Sequence, residues 1–365
     1  RTSIVQLRVN GLNLAETSPR MYGRYIQLES LDGDWAEAHF PADPDGNLYR
    51  LDDHAPNPIG VPPGDLGNGE FRYEGENGAA YADTFLKETN QESSYTDIIE
   101  IARVVSAPAA GGTGAQPAIP DAQYPGEVEK VLNLDDFFTY LATDALIGNQ
   151  EGGLQTGRLD DTSIYIGAND RRVRWIPHDL DDVFDIGSET GNPVTRSIFS
   201  YDLNGGGLLG LSRIFRHPEL VPRYYAKVLE QMDRWFNAAT IDPLVEQIMG
   251  GWVPATDGTF APPSTSIAEI KAYVSARRAN ILSQIQQSYS LTVATSEADT
   301  PEGYKLTTSG AATISGTFNV AKTYSIRVNG AVPQVFYRTS GGDLAGTWKI
   351  AVPAGGGNVL RPGLN

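Results

Sequence analysis

Apolar and polar side chains alternate from the start of the chain: Ile4, Gln6 and Arg8 run out of phase with Val5, Leu7 and Val9, and Asn10-Gly11 follows. Period-two alternation before an Asn-Gly pair predicts a hairpin whose second strand covers Tyr22 to Leu28 and ends at Glu29. Ala55 to Gly78 is dense in Gly, Pro and Asn and keeps no period, which marks a long surface loop. Over residues 95–106 the period changes to that of a helix, with Ile98, Ile101 and Val105 on one face and Thr96 or Asp97 placed to cap it. A second Pro/Gly/Ala loop, Ala107 to Gly126, precedes two consecutive helices carried by Val128, Val131 and Leu132 and then by Phe137, Phe138, Leu141 and Leu146. Thr162 to Ile166 and Val173 to Pro177 read as short strands joined through Gly167-Ala168-Asn169-Asp170, a hairpin with acidic ends. Helical periodicity returns at Pro218 to Phe236, Asp242 to Met249 and Ser266 to Tyr289, the last with Ser266 and Glu269 spaced as a capping box. After Leu291 the chain turns to Thr, Ser, Gly and Val in short alternating runs, including Tyr324 to Val328 and Gly346 to Ile350. This order predicts an α+β chain: a first domain over 1–290, and a small all-β sandwich over 291–365 that ends where one more strand is expected.

Composition narrows the function classes. The 365 residues carry 45 acidic and 28 basic side chains, a net charge of −17, and 40% of them are apolar. That balance supports real cores, and the negative surplus opposes binding to nucleic acid and to anionic membrane surfaces. With no Cys there is no disulfide framework, thiolate metal site or Cys nucleophile. No apolar run approaches the ~20 residues of a membrane span. An acidic, Cys-free, Gly-rich chain fits a secreted or cell-surface, extracytoplasmic protein. Its opening, in strand-like alternation and without Met, suggests a segment cut from a longer precursor, with part of the first domain upstream.

The densest acidic cluster is His178-Asp179-Leu180-Asp181-Asp182, where a strand runs into a loop. Alternation aims Asp179 and Asp181 the same way, and two such carboxylates repel unless a cation lies between them. The same pattern also describes a solvated acidic turn. Asp160-Asp161 at the other end of the hairpin tilts the balance, because pairing of the two strands brings Asp161 toward Asp179.

Read as an ordered set of blocks, the chain resembles the CotH-type spore-coat atypical protein kinases from about residue 4 to 287. The blocks are Val9-Asn10-Gly11, Tyr22 to Glu29, Asp45 to Arg50, Leu86 to Asn90 with Tyr95 to Ile99, Asn149 to Gly152, Asp160 to Tyr165, and Trp175 to Phe184. The resemblance implies an atypical protein-kinase-like domain, β-rich in its N-terminal part and helical in its C-terminal part. It further implies ATP and Mg²⁺ as cofactors and transfer of phosphoryl groups to Ser or Thr hydroxyls of an extracellular or envelope protein. By that likeness Asp179 is the metal-binding Asp, Asp181 a second ligand, and Asp161 stands where the family carries a metal-holding Asn. Glu151 stands at the catalytic-loop Asp that orients the attacking hydroxyl, Arg50 at a phosphate-contacting Lys with Glu29 as its ion-pair partner, and His178 at a Trp close to the nucleotide. The added methylene of Glu151 shifts its carboxylate by ~1 Å or more, and Arg is a bulkier, more rigid phosphate fork than Lys. These departures define the alternative: a catalytically degenerate kinase-fold surface protein whose β-sandwich binds a protein or glycan partner.

Other signals are weaker. Gly205-Gly206-Gly207-Leu208-Leu209-Gly210 fits G-x-G-x-x-G without a preceding strand and reads as a loop. The four His (39, 54, 178, 217) have no zinc-ligand spacing, and no G-x-S-x-G occurs. Asp43, Asp45 and Asn47 imitate part of a calcium loop, but Pro44 and the missing distal Glu favour a turn. Trp35, Trp175, Trp235 and Trp252 read as core, and Trp348 as core or sugar platform.

Overall fold

A computed structural model describes residues 2–6, 8–13, 24–51, 71–108, 116–149, 162–178, 180, 183–184, 192–198, 210–211, 213–217, 219–249, 263–285, 291–307, 311–319, 323, 326–328, 330–331, 333–337 and 345–353. Among the described residues there are seven α-helices and only antiparallel sheets, a mixed α+β architecture.

Strand β1 (Thr2–Gln6) pairs antiparallel with β4 (Arg24–Leu28), Thr2 opposite Leu28. The Asn10-Gly11 turn does not join these two. It closes a small hairpin of its own, β2 (Arg8–Val9) with β3 (Leu12–Asn13). Asn10 at φ 52° and Gly11 at φ 80° supply the positive φ that a two-residue hairpin turn demands.

Four strands make the central sheet: β5 (Asn47–Leu51), β6 (Phe85–Lys87), β7 (Thr162–Ile166) and β8 (Arg174–Pro177), in the order β6-β5-β7-β8. Alternation gives it two apolar faces. Tyr49, Leu51, Phe85, Ile164, Ile166 and Trp175 face the main core, together with helices α2 (Thr96–Val105), α3 (Tyr124–Val131) and α4 (Leu134–Ile147). Leu48, Tyr165 and Ile176 face the other way, onto Trp35 and Ala36 of α1 (Gly33–His39), whose N-cap Asp32 accepts the Trp35 N–H at 3.0 Å.

Ile98, Ile101 and Val105 are all buried, as their spacing predicts, but neither Thr96 nor Asp97 caps α2: Tyr95 occupies that position without a side-chain cap. Asp97 is drawn into the core instead, where it accepts the Tyr49 hydroxyl (2.9 and 3.0 Å) and Asn47 Nδ2 (2.7 Å). Helix α3 starts at Tyr124, inside the expected loop, because Pro125 fits the first turn of a helix. Helix α4 is capped by Asn133, which accepts the Asp136 N–H at 3.2 Å, and stops at Gly148 in the left-handed conformation (φ 67°).

Three more helices follow: α5 (Val221–Arg234), α6 (Ala238–Met249) and α7 (Pro263–Gln284). Helix α7 begins at Pro263, so Ser266 lies inside its first turn and not at the N-cap position that a capping box requires. Beyond it β9 (Ala294–Thr295), β12 (Ala311–Asn319), β13 (Gln334–Tyr337) and β14 (Ala345–Pro353) form a sheet in the order β13-β14-β12-β9, and β10 (Ala298–Asp299) pairs with β11 (Lys305–Leu306). The strand expected at Tyr324 to Val328 reduces, among the described residues, to a single bridge between Val328 and Ala331. Trp348 is 3% exposed and belongs to the core with Phe318, which removes the sugar-platform reading.

Candidate functional site

The sheet face toward α1 carries the candidate site. Arg50 sits on β5, exposed, opposite Leu86 of β6 on one side and Ser163 of β7 on the other. Ser163 in turn lies opposite Ile176 of β8, so Arg50, Ser163 and Ile176 form one row across three strands. His178 follows two residues beyond Ile176, in the phase of that same face, and is half-buried. On this face Ser163 Oγ and His178 Nδ1 are buried and have no hydrogen-bond partner among the described residues; on the opposite, core face the same holds for Trp175 Nε1. Native interiors leave few such atoms, and those that persist need an explanation such as a ligand or water.

At the opposite end of the sheet no buried side-chain polar atom among the described residues lacks a partner. Asp43 accepts the backbone N–H groups of Asn169 (3.0 Å) and Asp170 (2.9 Å) and Asn169 Nδ2 (3.0 Å). The Asp170 N–H first, with those of Asn169 and Ala168, holds the Asp43 carboxyl below the usual carboxylate range. Tyr165 accepts the Gly46 N–H at 2.9 Å and donates to the Asp43 carbonyl. The Arg172 guanidinium beside Asp170 holds that carboxyl down at about 2. Asp43 is therefore the anchor of the β7–β8 turn, in keeping with the turn reading and not with a calcium loop.

A cavity of about 270 Å³ runs between α4 and β8, with Asp136, Tyr140 and Asp144 on the helix and Trp175, Pro177 and Leu180 facing them. Pro177 and Leu180 flank His178 in the chain, but the cavity lies on the α4 side of the sheet, the face opposite Arg50 and Ser163.

The predicted site residues divide sharply. Glu29 is exposed and meets His39 Nε2 of α1 at 3.1 Å, where that ring stacks on Trp35 (4.4 Å between centroids). Arg50 and His178 share the α1 face of the sheet as described above. Glu151, Asp161, Asp179 and Asp181 lie outside the described residues. Among the described residues no group of three or more His, Asp or Glu is placed to hold a metal ion. Residue 161 precedes Thr162, the first residue of β7, and Thr162 pairs with Pro177 of β8.

Compared with known protein families, the chain matches CotH kinase protein over residues 1–281. It belongs to that family. No match was found among curated proteins. Membership makes it a kinase-like, nucleotide-using protein of a spore-coat family. No helix among the described residues is long and apolar enough to cross a membrane.

Sequence reasoning passed over Ser163, although alternation from Tyr165 places it on the Arg50 face. It also passed over Lys87, which pairs in register with Tyr49 and so belongs to the opposite, core face. Lys87 is 9% exposed as a residue; its ammonium donates to Ser93 Oγ and to the Ser94 carbonyl (3.0 Å), and lies over the Tyr49 and Tyr95 rings at 5.2 and 4.8 Å. Burial pushes its pKa down against the opposing pull of Asp97. It is a packing cation on the face opposite Arg50.

Proposed function

We propose that the chain is an ATP- and Mg²⁺-dependent atypical protein kinase that phosphorylates Ser or Thr hydroxyls of an extracellular or envelope protein. In this reading residues 1–290 form the kinase domain and 291–365 a β-sandwich. The observation that carries it is the row of Arg50 and Ser163 with His178 on one sheet face, beside the two chain segments that hold every predicted acidic ligand. Covalent connection alone keeps Asp161 one residue from Thr162 and Asp179 two from Pro177, at most about 7 Å of chain.

Asp179 and Asp181 hold the metal, with Asp161 as a further ligand. A bound Mg²⁺ would there supply positive charge to offset that of the nucleotide phosphates. Arg50 forks onto phosphate oxygens, Glu29 pairs with it, and His178 stacks on the base. Glu151 accepts the proton of the acceptor hydroxyl as its oxygen bonds the γ-phosphorus and the bond to the β-phosphate oxygen breaks. Positioning and placed charge carry most of such a transfer, so the metal carboxylates matter more than a strong base.

The test is transfer of labelled γ-phosphate to a Ser/Thr-rich acceptor protein, with Asp179→Ala alongside. The expected result is a loss of about 10³-fold or more in the variant; undiminished transfer removes Asp179 from its role. Thermal shift with Mg²⁺ and ATP separates this reading from the scaffold alternative, since ligand at 100 times its Kd stabilises by roughly 2.7 kcal/mol. A chain that neither shifts nor transfers is the degenerate surface protein.

A further inference from the structure

Helix α4 leads directly into the segment that carries Glu151 and Asp161, and its end is held in an unusual way. The last carbonyls of a helix have no partner within it. Here Asp144 O takes the Gly148 N–H at 3.0 Å, while the next three are met from outside the helix. Ala145 O accepts Arg277 Nε (3.1 Å) and Nη2 (2.7 Å), Leu146 O accepts the Tyr273 hydroxyl (3.1 Å), and Ile147 O accepts the Phe184 N–H (2.7 Å). Arg277 and Tyr273 lie one turn apart on α7, which contributes none of the predicted ligands.

Each donor is committed at some cost. Arg277 is fully buried, and its described hydrogen bonds all go to carbonyls, including those of Val194 and Arg196. A cation at the negative end of a helix dipole is favoured, which helps to offset its desolvation. Phe184 has φ 60°, a conformation rare for a bulky side chain, and its ring packs edge-on against Tyr273 at 5.8 Å. Gly148 has room for no side chain: a Cβ there would lie 2.2 Å from the Tyr273 hydroxyl. Arg196, whose carbonyl Arg277 holds, reaches back to the Asn149 carbonyl at 3.4 Å. The clamp thus grips the chain where it leaves α4 toward Glu151 and where it returns after Asp181.

We propose that Arg277 and Tyr273 are positioning residues for phosphoryl transfer, fixing the entry and exit of the acidic segments without touching nucleotide or acceptor. This rests on the kinase reading above. Misplacement of reacting groups by about 1 Å costs up to ~10²-fold in rate, with little effect on ground-state binding.

The experiment compares the full chain with Tyr273→Phe, which loses one hydroxyl and keeps its ring packing, and with Arg277→Lys. Expected are a kcat reduced about 10-fold in Tyr273→Phe and about 10²-fold in Arg277→Lys, with KM for ATP within two-fold of the parent. Hydrogen exchange, read in parallel, should rise in peptides spanning 146–161 and 180–186 and stay unchanged in α5. A kcat per folded molecule equal to the parent's, or unchanged exchange across both peptides in Tyr273→Phe, overturns the proposal. Should the parent transfer no phosphate, the kinase reading fails, and exchange in Tyr273→Phe alone decides whether the clamp holds these segments. If Arg277→Lys does not fold, Tyr273→Phe carries the test.

Discussion

The two ends of the central sheet are built from the same strands and differ in what their polar groups find. At the turn end Asp43, Tyr165, Thr89 and Asn90 bind the backbone of residues 43–48 and 169–170, and Asn47 is tied to Asp97. At the other end, where Thr162 meets Pro177, Ser163 Oγ and His178 Nδ1 are buried with no partner among the described residues. Burying an unmet polar group costs about 1–3 kcal/mol. One end is therefore tied together by its own polar groups, and the other carries the desolvation cost of two that have no partner among the described residues.

The largest effect expected from this contrast is at the turn end. Gly46 is buried so closely that a Cβ would stand 2.4 Å from the Ile166 carbonyl and 2.6 Å from the Tyr165 ring. Backbone cannot yield as a flexible side chain can, so Gly46→Ala should destabilise by about 2–3 kcal/mol, within the range for overpacking. Urea denaturation measures it through a lower midpoint at unchanged slope. A cost under about 0.5 kcal/mol would show that the turn end is loosely packed and break the contrast.

Asp43 comes next. Asp43→Ala removes the acceptor of three N–H groups at a partly solvated position, and the expected loss is about 1 kcal/mol. Its carboxyl is held below the usual range by backbone donors, so the contribution is complete above about pH 4, the unfolded value. It is lost as pH falls through the lower folded value, because the unfolded chain takes up the proton first. The stability difference between parent and Asp43→Ala should therefore shrink in acid, and a difference that stays constant from pH 6 to pH 3 contradicts this account.

Much of this was legible locally. Alternation in Thr162 to Pro177 gave the hairpin, and the spacing of Ile98, Ile101 and Val105 gave the buried face of α2. The sheet around that hairpin was not legible, because β5 reaches β7 across more than a hundred residues and no local pattern encodes such a pairing. The same holds for Asp97, which local rules assign to a helix cap and tertiary contact with Tyr49 claims instead. At the site the family blocks led to Arg50 and His178, and the register adds Ser163 between Arg50 and Ile176. The clamp was invisible to motif reading, because Arg277 and Tyr273 act on carbonyls that every sequence supplies.

The smallest effect is the most discriminating, because its sign carries the information. Ser163 is fully buried and its hydroxyl meets no partner among the described residues. Replacing it with Ala deletes one oxygen, leaves a gap smaller than a methyl group, and relieves the desolvation penalty of the hydroxyl. The difference in strand preference between the two residues is small beside that penalty. Ser163→Ala should therefore leave stability unchanged or raise it by up to about 1 kcal/mol, whereas the equivalent deletion at Asp43 lowers it. If the hydroxyl is kept for a ligand, the thermal shift produced by Mg²⁺ and ATP should shrink in the same variant. A Ser163→Ala protein less stable by 1 kcal/mol or more would mean that the hydroxyl already has its partner, and the two ends of the sheet would then be alike.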